Sequence, residues 1–141
     1  MKPILLFLFA IIAIQTNAQT VINDKNVQLR NVSSFSAIKV SGGIDVYLSQ
    51  SNEEAVAVSA SDEAYRDNIK TEVENGVLKI YYDSHSFKFN SSKKLRAYIS
   101  FKTLESIESS GAFNFMINGI FKGNSLRVRF NGACNMEGVV N

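Results

Sequence analysis

The sequence contains little of the chemistry that most metal and redox sites require. Its 141 residues include one cysteine, one histidine, one proline and no tryptophan. The only histidine, His85, excludes a metal site with several histidine ligands, and its polar surroundings favour an exposed side chain without a catalytic role. The acidic residues are scattered along the chain, which favours solvated surfaces over a paired-carboxylate site. We therefore expect no enzyme activity, no metal site and no cofactor.

The single cysteine, Cys134, excludes an internal disulfide bond. It stands in a repeated segment at the position that Phe113 occupies in the preceding copy. Replacement of a phenylalanine at an equivalent position favours a small buried hydrophobic residue. A reactive or metal-binding role is disfavoured, because a lone thiol lacks the partners that such chemistry needs.

The charge balance is nearly even. The chain has 15 Lys and Arg residues and 13 Asp and Glu residues, which gives a formal net charge of +2. A nucleic-acid-binding protein normally shows a strong basic excess, so this class is excluded. The only proline, Pro3, lies near the N-terminus, so no proline-rich linker divides the rest of the chain into domains.

The N-terminal segment has the features of a signal peptide. Lys2 precedes an apolar run over residues 4–14, which is shorter than the roughly 20 residues of a membrane-spanning helix. A buried core helix is the alternative, but it would lie at the extreme N-terminus without a polar face. Small residues predict cleavage after Ala18, which leaves residues 19–141 as a single domain. We expect an exported protein of the periplasm, the outer-membrane surface or the extracellular space, and no lipid anchor because no cysteine follows the run.

A short phrase occurs twice near the end of the chain at a spacing of 21 residues. Residues 110–115 (SGAFNF) return as residues 131–136 (NGACNM), and residues 41–46 (SGGIDV) form a looser copy upstream. A period of about 20 residues with strand-like apolar positions is typical of a coiled sheet whose turns cover one another. Gly111 and Gly132 are expected at the corners, where a side chain would block the bend.

Most of the remaining sequence alternates with a period of two, which predicts β-strands. Asn75-Gly76 lies between two such runs and predicts a hairpin with a type I′ turn. Only residues 61–68 have helical character, with Ser61 or Asp62 as the cap, and residues 83–94 are expected to form a loop. The expected shared interior of the repeats contains Phe113, Phe115, Ile117, Leu126, Val128, Phe130 and Cys134.

Several segments together resemble one bacterial family. Residues 35–48 (FSAIKVSGGIDVYL), 73–80 (VENGVLKI), 104–112 (LESIESSGA) and 131–133 (NGA) are similar in order and spacing to the "putative auto-transporter adhesin, head GIN domain" family. The Gly-Ile-Asn of the family name corresponds to Gly43-Ile44-Asp45. The resemblance covers about residues 32–138, nearly all of the expected mature chain.

The resemblance implies an all-β fold: a right-handed β-helix-like solenoid with an N-terminal strand and hairpin region. It also implies a location in the bacterial envelope and an adhesive or binding role without enzyme activity. Members of the family usually continue through further Ser-Gly-Ala turns, whereas this sequence stops at Asn141. The domain is therefore expected to be incomplete at its C-terminus, either because the gene is short or because the open β edge serves for association.

A basic and aromatic cluster around the predicted loop is the candidate ligand site. Basic groups beside aromatic rings suit anionic glycans or lipid head groups. The alternative is that these lysines only keep the loop and an edge strand soluble. The candidate residues are Tyr82, Phe87, Lys88, Phe89, Lys93, Lys94 and Arg96.

Two functions remain open from the sequence. The first is a non-catalytic envelope protein that binds a surface glycan or a partner protein. The second is a structural or assembly module that stacks through its open solenoid edge. Residues 126–141 would form that edge, and they predict self-association or fraying there.

Overall fold

The computed structural model of the chain describes residues 24–83, 93–111 and 113–140. The predicted signal peptide, its cleavage after Ala18 and the predicted loop residue His85 lie outside the described residues. Within the described ranges, no helix is long and apolar enough to cross a membrane.

The regular structure of the described residues is β-strand, apart from one helix of five residues, α1 (Glu63–Asp67). The expectation of an all-β domain is therefore confirmed. The strands are β1 (Gln28–Arg30), β2 (Ala37–Ser41), β3 (Asp45–Gln50), β4 (Ala55–Ser59), β5 (Ile69–Glu74), β6 (Val77–Tyr82), β7 (Arg96–Phe101), β8 (Ser106–Ser110), β9 (Phe113–Phe121), β10 (Arg127–Asn131) and β11 (Cys134–Val140).

The strands form two sheets that face each other across the core. The first sheet has the order β1-β4-β7-β3-β9-β11, and the second has the order β10-β8-β2-β6-β5. Consecutive strands such as β8 and β9 alternate between the sheets and pair in parallel with the next such pair, β10 and β11. However, β1, β4 and β5 pair antiparallel with their neighbours. The expected right-handed β-helix is thus confirmed only as far as an all-β fold, because both sheets are mixed and neither closes on itself.

The 21-residue repeat of the sequence is the pairing register of these strands. Arg127 pairs with Ser106 in the second sheet, and Cys134 pairs with Phe113 in the first. The looser upstream copy lies in the same rows, since Ser41 pairs with Ser110. The three copies of the phrase therefore lie side by side, as the repeat predicts.

The corner between β10 and β11 requires glycine, as expected. Gly111 and Gly132 have φ angles of 103° and 116°, values that L side chains rarely adopt. The Gly111 N–H donates to the Asn131 carbonyl at 3.0 Å. A Cβ atom on Gly132 would lie only 2.7 Å from the Gly111 carbonyl oxygen, so this corner stacks too closely on the preceding one for a side chain at position 132.

The predicted hairpin and helix are both confirmed. Asn75 and Gly76, between β5 and β6, have φ angles of 53° and 75°, and a type I′ turn requires positive values at both positions. Helix α1 begins after Asp62, whose carboxylate accepts the Ala64 N–H at 2.8 Å. This carboxylate satisfies one of the donors left unpaired at a helix start.

The core lies between the inner faces of the sheets, and it is open at the β10–β11 end. Phe115 is fully buried there, and Ile117, Leu126 and Phe130 are half-buried against the core. The expectation that Val128 shares this interior is wrong, because the side chain is 40% exposed. Among the described strands none lies beyond β10 to cover it. The prediction that Phe113 and Cys134 share this interior is not tested, because their side chains are outside what the structure describes.

The opposite end of the core is closed by polar side chains. The Arg30 guanidinium donates to the Ile69 carbonyl at 2.7 Å and to the Arg66 carbonyl at 3.2 Å. The Asn26 amide donates to the Ala60 carbonyl at 3.0 Å. These bonds satisfy backbone groups that would otherwise be left without partners. The two ends of the molecule therefore differ, with a polar cap at one end and uncovered apolar side chains at the other.

Candidate functional site

Part of the predicted basic and aromatic cluster is assembled in the structure. The ammonium nitrogen of Lys93 lies 4.6 Å from the centre of the Tyr82 ring and 5.6 Å from that of Tyr65. Both distances suit a cation–π contact. Tyr82 itself packs against the core, so Lys93 covers a ring that belongs to the interior. Phe87, Lys88 and Phe89 lie outside the described residues.

The other two predicted basic residues lie apart from this contact. Lys94 is exposed, with a φ of 49°. Arg96 is on the outer face of the first sheet, and its guanidinium lies 3.6 Å from the Asp24 carboxylate. Lys93 and Arg96 are thus engaged within the protein, and a ligand-binding role for the cluster stays a prediction.

Asp24 anchors the start of the described chain to the first sheet. Its side chain is only 7% exposed, and it accepts hydrogen bonds from the Asn26 N–H and the Tyr98 hydroxyl, both at 3.1 Å. Burial acts to raise the pKa of Asp24, but the Ser59 hydroxyl, these hydrogen bonds and the charge of Arg96 hold it below its ordinary value. Ser59 acts by proximity, because its hydroxyl makes no hydrogen bond of ordinary geometry in the described residues.

The lowered pKa of Asp24 predicts a loss of stability in acid. A carboxylate whose pKa is lower in the folded state stabilises the fold above its unfolded value of 3.8, and this contribution is lost as the pH falls through the folded value. Asp24→Asn should therefore lower the free energy of unfolding by about 1 kcal/mol at pH 7. At pH 2 the variant and the wild type should unfold at nearly the same urea concentration.

Glu54 provides an independent second test of this acid effect. Its pKa is also lowered, by the Phe35 N–H, the Ser34 hydroxyl and the charge of Lys102, so Glu54→Gln should remove a separate share of the acid sensitivity. The two effects should add, because the residues have no partner in common. An Asp24→Asn variant that loses as much stability at pH 2 as at pH 7 would show that the ionised carboxylate is not what stabilises this anchor.

An apolar row crosses the outer face of the first sheet. One residue from each of five adjacent strands lies in register, and we name this set the tyrosine row: Leu29, Ala57, Tyr98, Tyr47 and Met116. The rings of Tyr47 and Tyr98 stack with their centres 5.0 Å apart and an angle of 21° between planes. Leu29 is 78% exposed, and both tyrosines and Met116 are half-exposed, whereas Ala57, between Leu29 and Tyr98, is buried.

Polar rows lie on both sides of the tyrosine row. Ser100, Ser49 and Asn118 occupy the positions on one side. Arg96 and Asp45 pair on the other side. The Asp45 carboxylate accepts the backbone N–H of Asn114 at 2.9 Å and its side-chain amide at 3.3 Å. The outer face therefore presents aromatic and apolar surface between two lines of hydrogen-bonding groups.

This surface differs from the usual outer face of an exposed sheet, which is polar. Contiguous exposed apolar residues rimmed by polar ones mark binding surfaces in many proteins. Sequence reasoning missed the row because its two tyrosines are 51 residues apart. Their period-two positions opposite the core were the available signal, but the strand order that joins them could not be deduced from it.

A shallow groove of about 260 Å³ lies at one edge of the molecule, lined by Ser34, Phe35, Ser36, Glu54, Gly76, Lys102 and Thr103. The Glu54 carboxylate accepts the Ser34 hydroxyl at 2.7 Å and the Phe35 N–H at 3.0 Å. These bonds fix the segment that leads into β2. Across residues 24–83, 93–111 and 113–140, no group of three or more His, Cys, Asp or Glu side chains is placed to hold a metal ion.

Solved bacterial structures share this fold. A structure described as a putative lipid binding protein from Parabacteroides distasonis is 27% identical, with a TM-score of 0.67, and the match covers 82% of this chain and 50% of that protein. A putative adhesin from Bacteroides fragilis is 20% identical, with a TM-score of 0.68 and coverages of 84% and 55%. A putative adhesin from Parabacteroides merdae is 20% identical, with a TM-score of 0.62 and coverages of 81% and 53%.

The chain thus spans about half the length of the structures it matches. No curated protein matches the chain. The family described as "Putative auto-transporter adhesin, head GIN domain" matches residues 34–141, a range that contains β2 to β11 and all three copies of the glycine repeat. This description names an adhesin rather than an enzyme, and the resemblance seen in the sequence is confirmed. The chain belongs to the head GIN domain family.

Proposed function

We propose that this chain is an exported, non-catalytic binding module of the bacterial envelope that holds a surface glycan on its tyrosine row. The observation that carries the proposal is the exposed part of the row, in which Tyr98, Tyr47 and Met116 lie side by side on three adjacent strands, on a face where polar residues are expected. Membership of an adhesin family supports a binding role. The apolar segment at residues 4–14 supports export.

The chemistry of the face suits a sugar chain. Sugar rings carry apolar C–H groups, which pack on aromatic and thioether side chains, and hydroxyl groups, which need hydrogen-bonding partners. Tyr47 and Met116 supply the first kind of contact, and the rows that contain Ser49 and Asp45 supply the second. Neighbouring strands lie about 4.8 Å apart, so the three strands that carry Tyr98, Tyr47 and Met116 give a track of about 10 Å.

A glycan fits this surface better than a lipid does. One of the similar structures is described as a putative lipid binding protein, which makes lipid the natural alternative. An acyl chain needs an enclosed apolar cavity, but the space between the sheets is filled by the core side chains, and the groove beside Glu54 is open to solvent. If the predicted basic cluster adds to the site, the glycan is anionic, and its binding weakens as salt is raised.

The binding proposal predicts that Tyr47→Ala weakens glycan binding at least tenfold without loss of folding. The wild type and the variant would be compared on an array of bacterial and host polysaccharides, with phospholipid vesicles as a second arm. Tyr81→Ala is the matched control, because Tyr81 is a half-exposed tyrosine on the outer face of the second sheet. Equal losses in the two variants, or binding to vesicles only, would overturn the proposal.

An assembly role is the second candidate function, and it rests on the open end of the core. Val128 and Met136 are 40% and 36% exposed, whereas their partners one strand further in, Ile107 and Phe115, are fully buried. Apolar side chains at inward positions of a sheet need a covering layer. We propose that added β-strands cover this end, in line with the stacking through an open edge that the sequence predicts.

A further inference from the structure

We infer that two copies of this chain join end to end through β10 and β11, with β10 of each copy lying antiparallel beside β11 of its partner. The inference rests on the proposed assembly function and names its partner as a second copy. A two-fold axis that runs along the strands, between the two sheets, relates the copies. The first sheet of one copy then continues into the second sheet of the other.

The open end presents both unpaired backbone groups and uncovered apolar side chains, and such a joint would satisfy both. Within the described residues, β10 and β11 are the edge strands of the second and first sheets, and edge strands present backbone N–H and C=O groups for pairing. Val128 and Met136 point toward the core in register with buried residues, yet they are exposed. An added pair of strands would satisfy the backbone and cover these side chains together.

A ring contact across the core fixes the register of the joint. Phe130 in β10 stacks on Phe115 in β9 with the ring centres 5.3 Å apart. Phe115 also pairs with Met136 in the first sheet, so Phe130 and Met136 lie at the same level along the two edge strands. A two-fold axis along the strands exchanges the two edges and leaves this level unchanged. Phe130 therefore lies beside Met136 of the partner subunit.

The same register also brings opposite charges together across the joint. In an antiparallel pair, one step back along β10 corresponds to one step forward along β11. Arg129 therefore lies beside Glu137 of the partner subunit, on the outer face. Both residues are exposed in a single copy, and Arg129 is 3.8 Å from Glu108 of its own chain. The two-fold axis repeats the pair, so each joint contains two Arg129–Glu137 contacts.

Other arrangements are disfavoured by the same residues. A two-fold axis perpendicular to the sheets would set β10 against β10, and Arg127 and Arg129 of the two copies would oppose one another; like charges directly opposite destabilise a strand pair. Head-to-tail stacking would require the far end of the core, but Arg30 closes that end with bonds to backbone carbonyls. The structure therefore favours a closed dimer over an open filament.

Charge reversal tests this joint. The mass of the purified protein in solution would be measured by light scattering and by sedimentation over a range of concentrations. The wild type should form a dimer, and Arg129→Glu or Glu137→Arg alone should raise the dimer dissociation constant at least tenfold. An equimolar mixture of these two variants should restore dimers, because both contacts of the mixed pair then join opposite charges. Lys70→Glu, on β5 at the other end of the second sheet, is the control with the same change of charge.

Each outcome decides a different point. Both reversed residues are exposed, so unchanged circular dichroism and melting would show that the variants fold. Dimers that resist both reversals, or a mixture that fails to restore them, would overturn this geometry while the proposed assembly role stands. A wild type that remains monomeric at all concentrations would overturn the inference. If the β11 amides also resist hydrogen exchange in that monomer, the β10–β11 end is stable without a partner. The proposed assembly role would then be wrong as well.

Discussion

Phe115→Ala should lower the free energy of unfolding by about 3–5 kcal/mol, the usual cost of removing a fully buried phenylalanine. The side chain has no exposed surface and stacks on Phe130 across the core. Its strand, β9, lies between β3 and β11 in the first sheet. The cavity left by the ring would therefore loosen contacts to both neighbouring strands and to the opposite sheet. Urea denaturation followed by circular dichroism measures the change.

The control for this effect is Leu29→Ala, which truncates a large apolar side chain that is 78% exposed. Surface substitutions of this kind usually change stability by less than about 0.5 kcal/mol. A Phe115→Ala variant that unfolds at the same urea concentration as Leu29→Ala would mean that β9 has been assigned the wrong inner face. The tyrosine row would then be wrong too, because its position follows from the same alternation.

The local elements could be predicted because each depends on neighbouring residues. The Asn75-Gly76 turn needs only its own backbone angles, and helix α1 needs only its capping residue, Asp62. The 21-residue repeat likewise fixes the partners of β10 and β11, because identical corners stack on one another. What the sequence could not predict is the pairing of β4 (Ala55–Ser59), whose residues Val56, Ala57 and Val58 are all buried. Without a polar partner in the alternation, nothing indicates that it pairs antiparallel between β1 and β7.

The incorrect prediction that Val128 is buried also arises because burial depends on strands that are distant in the sequence. Val128 alternates with Arg127 and Arg129 as an inner-face residue should, and its register with Ile107 agrees. Burial, however, depends on the layer beyond the strand, which no local pattern records. The candidate binding surface also depends on strand order, since Tyr47 and Tyr98 become neighbours only when β3 pairs with β7. Sequence alternation thus assigns a side chain to a face, and the topology decides what that face meets.

Gly132→Ala should have the second large effect, a loss of about 2–4 kcal/mol that combines backbone strain with steric overlap. The new Cβ would meet the Gly111 carbonyl oxygen at 2.7 Å and its carbonyl carbon at 3.1 Å. These are backbone atoms of the neighbouring corner, so they cannot rotate aside. The corner would open, and β11 would separate from β9 before the rest of the domain unfolds. Urea denaturation measures the loss, and hydrogen exchange of the β11 amides shows where it occurs.

Gly119→Ala isolates the part of this loss that comes from the backbone angle alone. Gly119 lies in the irregular part of the β9–β11 pairing and has a φ of 93°, but a Cβ atom there would meet nothing within 4 Å. Its replacement should cost only the strain of a positive φ, about 1–2 kcal/mol. The difference between the two variants then measures how tightly the corners stack. Equal losses would mean that Gly111 and Gly132 are kept apart in solution, and that the repeat sets the backbone conformation of each corner without holding the corners in contact.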